Sequence, residues 1–220
     1  MKVAAGSGAG ALLAGLLAAL SATGALGAAG AEEVPRISFS KSFPGSQPAF
    51  FLITVERTGV SSYNESQDAD NAEKLQLEPS VTGDMFQMAE RLDHFNRPLE
   101  SGMKVANMGE KTLRWEGGGE TWESKFNYST NEDAKLLADR FETIAVCAQT
   151  LLELRRAIRH DRLGVNAAVL KIQGLWNDKR LVATADFLPV LDRVANDEVY
   201  IHMARERAAQ IADAIRARSK

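Results

Sequence analysis

The stretch AFFLITVER at residues 49–57 decides the fold, because it carries the clearest strand pattern in the chain. Aromatic and β-branched residues are enriched in strands, and their alternation here places Phe51, Ile53 and Val55 on one face. A Thr-Gly pair follows, and residues 60–63 resume a strand-like pattern. The stretch therefore predicts a β-hairpin at the centre of a small sheet.

Further strands are predicted on both sides of this hairpin. Upstream, residues 36–42 (RISFSKS) alternate between polar and apolar side chains and are separated from the hairpin by a turn rich in Pro and Gly. Downstream, Lys111–Trp115 and Thr121–Tyr128 flank the sequence Glu-Gly-Gly-Gly-Glu. This arrangement predicts a second hairpin.

A loop and a helix are predicted between the two hairpins. Residues 64–79 are polar and acidic without a period, which is typical of a surface loop. An amphipathic pattern then runs to about Phe95, with Ser80 or Thr82 able to cap its start.

The composition changes after residue 130, where Ala, Leu, Arg and Glu replace strand-forming residues. Helical periodicity predicts four helices, at about 131–160, 164–176, 187–195 and 197–218. We therefore predict an α+β fold, in which a small antiparallel sheet of two hairpins with one packed helix (residues 32–130) precedes an α-helical region (residues 131–220).

The first 31 residues have the pattern of a secretory signal peptide. Lys2 is their only charge, an apolar run covers residues 11–20, and Ala29-Gly30-Ala31 matches a cleavage site. The segment predicts export to the periplasm or the extracellular space, with no stable membrane insertion once it is cleaved. An uncleaved N-terminal anchor is the alternative, since the charge-free run is long enough to span a bilayer.

The charge and cysteine content exclude several classes of protein. The net charge is −3 and no basic stripe is present, which argues against a nucleic-acid partner. Cys147 is the only cysteine, so an internal disulfide and a Cys-based zinc cluster are both excluded. Its apolar neighbours in the long helix predict a buried thiol.

Two parts of the chain resemble known folds. Residues 36–128 are similar in layout to uncharacterised exported bacterial domains, in which a hairpin closed by a short turn, here Thr58–Tyr63, precedes a helix and a second hairpin. Residues 187–215 resemble one helical hairpin of the HEAT-repeat type, with Leu188-Pro189, then Asp197, then Arg205. The second resemblance implies a protein-binding role, and neither supplies catalytic residues.

No catalytic, cofactor-binding or metal-binding residues are predicted. Glu90 and His94 are four residues apart and could jointly hold a metal on one helix face, but a solvated face near the end of the helix is the preferred interpretation. The glycines at 117–119 lack the Lys-Ser/Thr of a phosphate loop, and a strand follows them. The acidic residues of the 64–79 loop lack the spacing of a calcium loop.

The remaining local signal is a pair of tryptophans, Trp115 and Trp122, on the two strands of the second hairpin. If one of them faces outward, it could anchor a partner, whereas packing against the preceding helix would make it part of the core.

We therefore expect an exported, non-enzymatic protein of the cell envelope that binds an unidentified protein partner through its sheet edge or its helical hairpin. One alternative is a carrier of a small ligand or lipid, held between the sheet and a helix bearing Met85, Met88 and Leu92. A second is a hydrolase in which a His such as His94 meets a carboxylate from the sheet.

Overall fold

The computed structural model describes residues 34–66 and 72–218. The strands are β1 (Arg36–Ser42), β2 (Phe50–Glu56), β3 (Val60–Asn64), β4 (Glu73–Gln76), β5 (Glu110–Gly117) and β6 (Glu120–Phe126). The helices are α1 (Pro79–Arg91), α2 (Glu132–His160), α3 (Gly164–Asn177), α4 (Thr184–Asn196) and α5 (His202–Arg218). The predicted α+β class with a C-terminal helical region is confirmed. The predicted signal peptide lies outside the described residues.

The six strands form one antiparallel sheet in the order β4-β3-β2-β1-β5-β6. Strand β1 lies between the two hairpins, and its Phe39 has Ile53 on one side and Leu113 on the other. Residues in register share a face of a pleated sheet, so this row of apolar side chains lies on the side that the helices cover. The opposite side carries mainly hydroxyl and charged groups.

Helices α1 and α2 cover the apolar side of the sheet. The ring of Phe141 on α2 stacks on that of Phe39, with 5.3 Å between their centres and 13° between their planes. The buried apolar residues of the sheet, of α1 and of the C-terminal helices form one continuous cluster. The predicted boundary near residue 130 falls between β6 and α2, and this core extends across it.

The C-terminal helices pack mainly against one another. Helices α4 and α5 contact each other along the predicted hairpin, and Arg216 forms a 2.6 Å ion pair with Asp192 between them. The HEAT-repeat resemblance of this hairpin stays a prediction. Within the described residues, no helix combines the length and the apolar character that crossing a membrane requires.

Several details of the predicted elements are wrong, among them the start of the last helix, which begins at His202 rather than at residue 197. The segment at 64–79 is not loop throughout, because it contains β4, in which Leu75 alone is buried. Helix α1 begins at Pro79 without a side-chain cap from Ser80 or Thr82. The residue before α1 is Glu78, whose carboxylate binds the start of α4 instead.

Candidate functional site

The two tryptophans lie directly opposite each other on β5 and β6, but their surroundings differ. Trp115 is 7% exposed; it packs edge-on against Phe86 of α1 at 5.9 Å and is stacked on His94 at 4.1 Å. Trp122 is 36% exposed. Trp115 is therefore a core residue, and Trp122 is the tryptophan of this pair that faces outward.

The turn between β5 and β6 fixes which backbone groups of β6 point away from the sheet. Gly118 and Gly119 have φ values of +63° and +78°, as a two-residue type I′ turn requires. The residues flanking such a turn form a hydrogen-bonded pair, and such pairs then alternate along the ladder. Trp122 is thus hydrogen-bonded to β5, whereas Thr121, Glu123 and Lys125 direct their N–H and C=O groups outward.

Strand β6 is the free edge of the sheet. It is seven residues long, its first four residues are exposed, and no described element pairs with its outer side. The other edge, β4, has four residues, and Asp186 of α4 accepts the hydrogen bond of the Gln76 N–H at 2.7 Å. Arg155 of α2 also forms an ion pair with Glu73 there. Because α2 and α4 cover β4, β6 is the edge available to another chain.

A groove of about 370 Å³ runs beside β6 on its helix-facing side. Its lining comes from the segment after α1 and from the strand itself: Phe95, Asn96, Arg97, Pro98, Trp122, Glu123, Ser124 and Lys125. The N–H of Leu99 donates to the hydroxyl of Ser124 at 3.1 Å, which holds the segment against the strand. Trp122 therefore lies where a side chain entering the groove would contact it.

A strained turn forms the start of the groove wall. Asp93, His94 and Phe95 have φ values of +54°, +51° and +68°, in the left-handed region that non-glycine residues rarely adopt. Full burial of Phe95 and the stacking of His94 on Trp115 hold this conformation. Strain of this kind is concentrated at functional sites, which supports the groove as a site.

Because of this turn, the prediction that the helix continues through His94 to about Phe95 is wrong. Helix α1 ends at Arg91, His94 lies on Trp115, and Glu90 forms an ion pair with Arg57. Glu90 and His94 therefore do not act as a pair on one helix face. Over residues 34–66 and 72–218, no group of three or more His, Cys, Asp or Glu side chains is arranged to hold a metal ion.

The side of the sheet away from the helices is open. A shallow hollow of about 600 Å³ crosses it, lined partly by hydroxyl groups such as those of Ser38 and Thr54. At its β5 end, burial acts to raise the pKa of Glu116, but Arg36 and Arg114 outweigh it and hold this pKa below its ordinary value. Glu123 lies 3.9 Å from Arg114 and 3.6 Å from Lys125, so these two cations partly neutralise its carboxylate at the edge of the sheet.

The other sequence candidates lie in the core or at scattered surface positions. Cys147 is buried, and burial raises the pKa of its thiol to about 11, which disfavours the nucleophilic thiolate. Met85, Met88 and Leu92 are also buried among core residues and do not line either the groove or the hollow. The ligand-carrier alternative stays a prediction that this packing does not favour.

No protein-family model matches the chain, and a search of curated proteins finds no significant relative. The geometry of β6 and its groove is therefore the basis for assigning a function.

Proposed function

We propose that this protein is an exported, non-enzymatic interaction module that binds an extended protein segment as a seventh strand beside β6. The observation that carries the proposal is the row of outward N–H and C=O groups at Thr121, Glu123 and Lys125 on an uncovered edge. An added strand gains affinity from main-chain hydrogen bonds, while the flanking pockets select its side chains.

The two faces of the sheet at β6 would contact different side chains of the bound segment. Alternate side chains of an added strand point to opposite faces. Those on one face would meet Trp122 and the groove, where an aromatic or aliphatic group is favoured. Those on the other would meet Thr121, Glu123 and Lys125, where polar partners are favoured. This division predicts a segment with alternating apolar and polar residues.

The test compares Glu123→Pro with the matched control Glu123→Ala. Both variants remove the carboxylate, but only Pro removes the outward N–H, and Pro is tolerated on an edge strand when its missing donor faces solvent. Peptides selected from a random library on the wild-type protein serve as the probe. We expect them to slow hydrogen exchange at Thr121, Glu123 and Lys125, and to bind Glu123→Pro about tenfold more weakly than Glu123→Ala, as loss of one buried hydrogen bond implies.

Equal affinity for the two variants, or protection confined to other amides, would contradict strand addition at β6.

A further inference from the structure

We infer that the segment bound at β6 is the β6 strand of a second copy of this chain, related by a twofold axis through Trp122. This inference rests on the proposed function, because it names the occupant of the same edge. The two six-stranded sheets would join into one antiparallel sheet. A twofold interface of this kind uses the same patch on both copies, so the patch has to be complementary to itself.

The hydrogen-bonding pattern of β6 is compatible with this axis. With Trp122 opposite its copy, Thr121 lies opposite Glu123 of the other copy, and Glu123 lies opposite Thr121. Thr121 and Glu123 both direct their backbone groups outward, so the two pairs exchange about four main-chain hydrogen bonds. The central pair is then of the non-hydrogen-bonded type, in which side chains approach most closely.

The side chains in this register are complementary. The two copies of Trp122 meet across the axis, and an aromatic cross-strand pair stabilises a sheet by about 0.2–1 kcal/mol. On the open face, the Glu123 carboxylate of each copy lies opposite the Thr121 hydroxyl of the other copy. It stays 3.6 Å from Lys125 of its own strand. Glu120 lies opposite Ser124. No two like charges are directly opposed.

Two other registers, with the axis at Glu123 or at Ser124, are less favourable for pairing. An axis through Glu123 opposes two carboxylates, which destabilises a strand pair. An axis through Ser124 places Thr121 opposite residue 127 of the other copy, so full pairing requires the outward N–H of Asn127. That N–H is already bound, since it donates to the carboxylate of Glu100 at 2.6 Å. Of these three registers, the Trp122 register alone opposes no like charges and uses no backbone group that is already bound.

A Trp122→Cys variant of the full-length chain tests this register directly. Opposed Cα atoms of a non-hydrogen-bonded pair are about 4.5 Å apart, within the range that a disulfide spans. Mild oxidation is expected to give a covalent dimer. Leu163→Cys, at an 86% exposed position between α2 and α3, is the matched control and should give little covalent dimer under the same oxidation. Cys147 is buried and is present in both variants.

Native mass spectrometry of the unmodified chain over a dilution series provides the second readout. We expect a dimer that Glu123→Pro weakens at least tenfold relative to Glu123→Ala. A wild-type dimer that tolerates Glu123→Pro, together with absent cross-linking of Trp122→Cys, would overturn the inference. A monomer whose Thr121, Glu123 and Lys125 amides are protected by library peptides would overturn it while supporting the proposed function. A monomer without such protection would contradict both.

Discussion

The carboxylate of Glu78 holds the first residue of α4, since Thr184 donates to it through both its N–H at 2.8 Å and its hydroxyl at 2.7 Å. The N–H of Ala183 adds a third hydrogen bond at 3.0 Å. Helix α4 has no side-chain cap of its own, so a residue from the sheet region supplies one. A carboxylate at a helix N-terminus is also favoured by the helix dipole. This contact joins the start of α1 to the C-terminal helices.

Replacing Glu78 by Ala is expected to lower the free energy of unfolding by about 2 kcal/mol, because three donors lose their acceptor and a helix loses its cap. Urea denaturation measures the change. Glu198→Ala removes an exposed carboxylate and should stay within about 0.5 kcal/mol of wild type. A Glu78→Ala variant as stable as this control would show that the contact does not stabilise the fold.

Lys179→Gly is expected to stabilise the protein. Lys179 follows the end of α3 with φ at +57°, and the turn has both Schellman hydrogen bonds, from the Lys179 N–H to Trp176 and from the Arg180 N–H to Leu175. Glycine adopts this conformation without the steric penalty of a Cβ, which amounts to about 1 kcal/mol, less the entropy that glycine adds to the unfolded chain.

The matched control for this prediction is Lys179→Ala, which removes the same charge but keeps the Cβ. We expect a higher urea midpoint at an unchanged slope for Lys179→Gly only. A gain of the same size in Lys179→Ala would assign the effect to the lysine side chain rather than to the backbone.

Local patterns in the sequence predict most of the fold. The alternation at residues 49–57 and the helical period after residue 130 reflect burial of one face, which any local window reveals. Strand β4 is not predicted in this way, because Leu75 is the only buried residue among its four and a single apolar residue shows no alternation. The left-handed turn after α1 is not predicted either, because it contains no glycine. Its conformation is held by the packing of Phe95 and His94, which depends on the tertiary structure.

The candidate site is predictable only in part. The hairpin spacing places Trp115 and Trp122 on paired strands, but it does not reveal which of them α1 covers. That difference depends on the strand order, in which β1 enters between the hairpins and leaves β6 at the edge. Pairing between strands distant in sequence has no local signal. The opposite edge is covered in part by the hydrogen bond from the Gln76 N–H to Asp186. These two residues are 110 positions apart, so no local pattern in the sequence predicts their contact.

The thiol of Cys147 is expected to make stability fall at alkaline pH. Burial raises its pKa from 9.0 to about 11 in the folded chain, so the unfolded chain ionises first. The stabilisation from this group is complete below pH 9 and is lost as the pH rises through about 11. The full loss is about 3 kcal/mol, since the two pKa values differ by about two and one pKa unit corresponds to about 1.4 kcal/mol.

The measurement compares wild type with Cys147→Ala by denaturation at a series of pH values from 8 to 11. Burial also raises the pKa of Tyr63, but this residue is present in both proteins and cancels in the difference. The stability gap between the two proteins should narrow across this range. A constant gap would mean that the thiol ionises equally in the folded and unfolded chains.

The stack of Phe141 on Phe39 predicts that the sheet and the C-terminal helices unfold together. Phe141 is completely buried in a core that both parts share, and its replacement by Leu is expected to lower stability by about 1–2 kcal/mol. Native-state hydrogen exchange should show the same loss of protection in the slowest amides of β2 and of α3. Leu136→Ala, on the same helix but exposed, should leave both unchanged within about 0.5 kcal/mol. If Phe141→Leu lowered protection in β2 and not in α3, the helices would be an independent folding unit, and the shared core would not couple them.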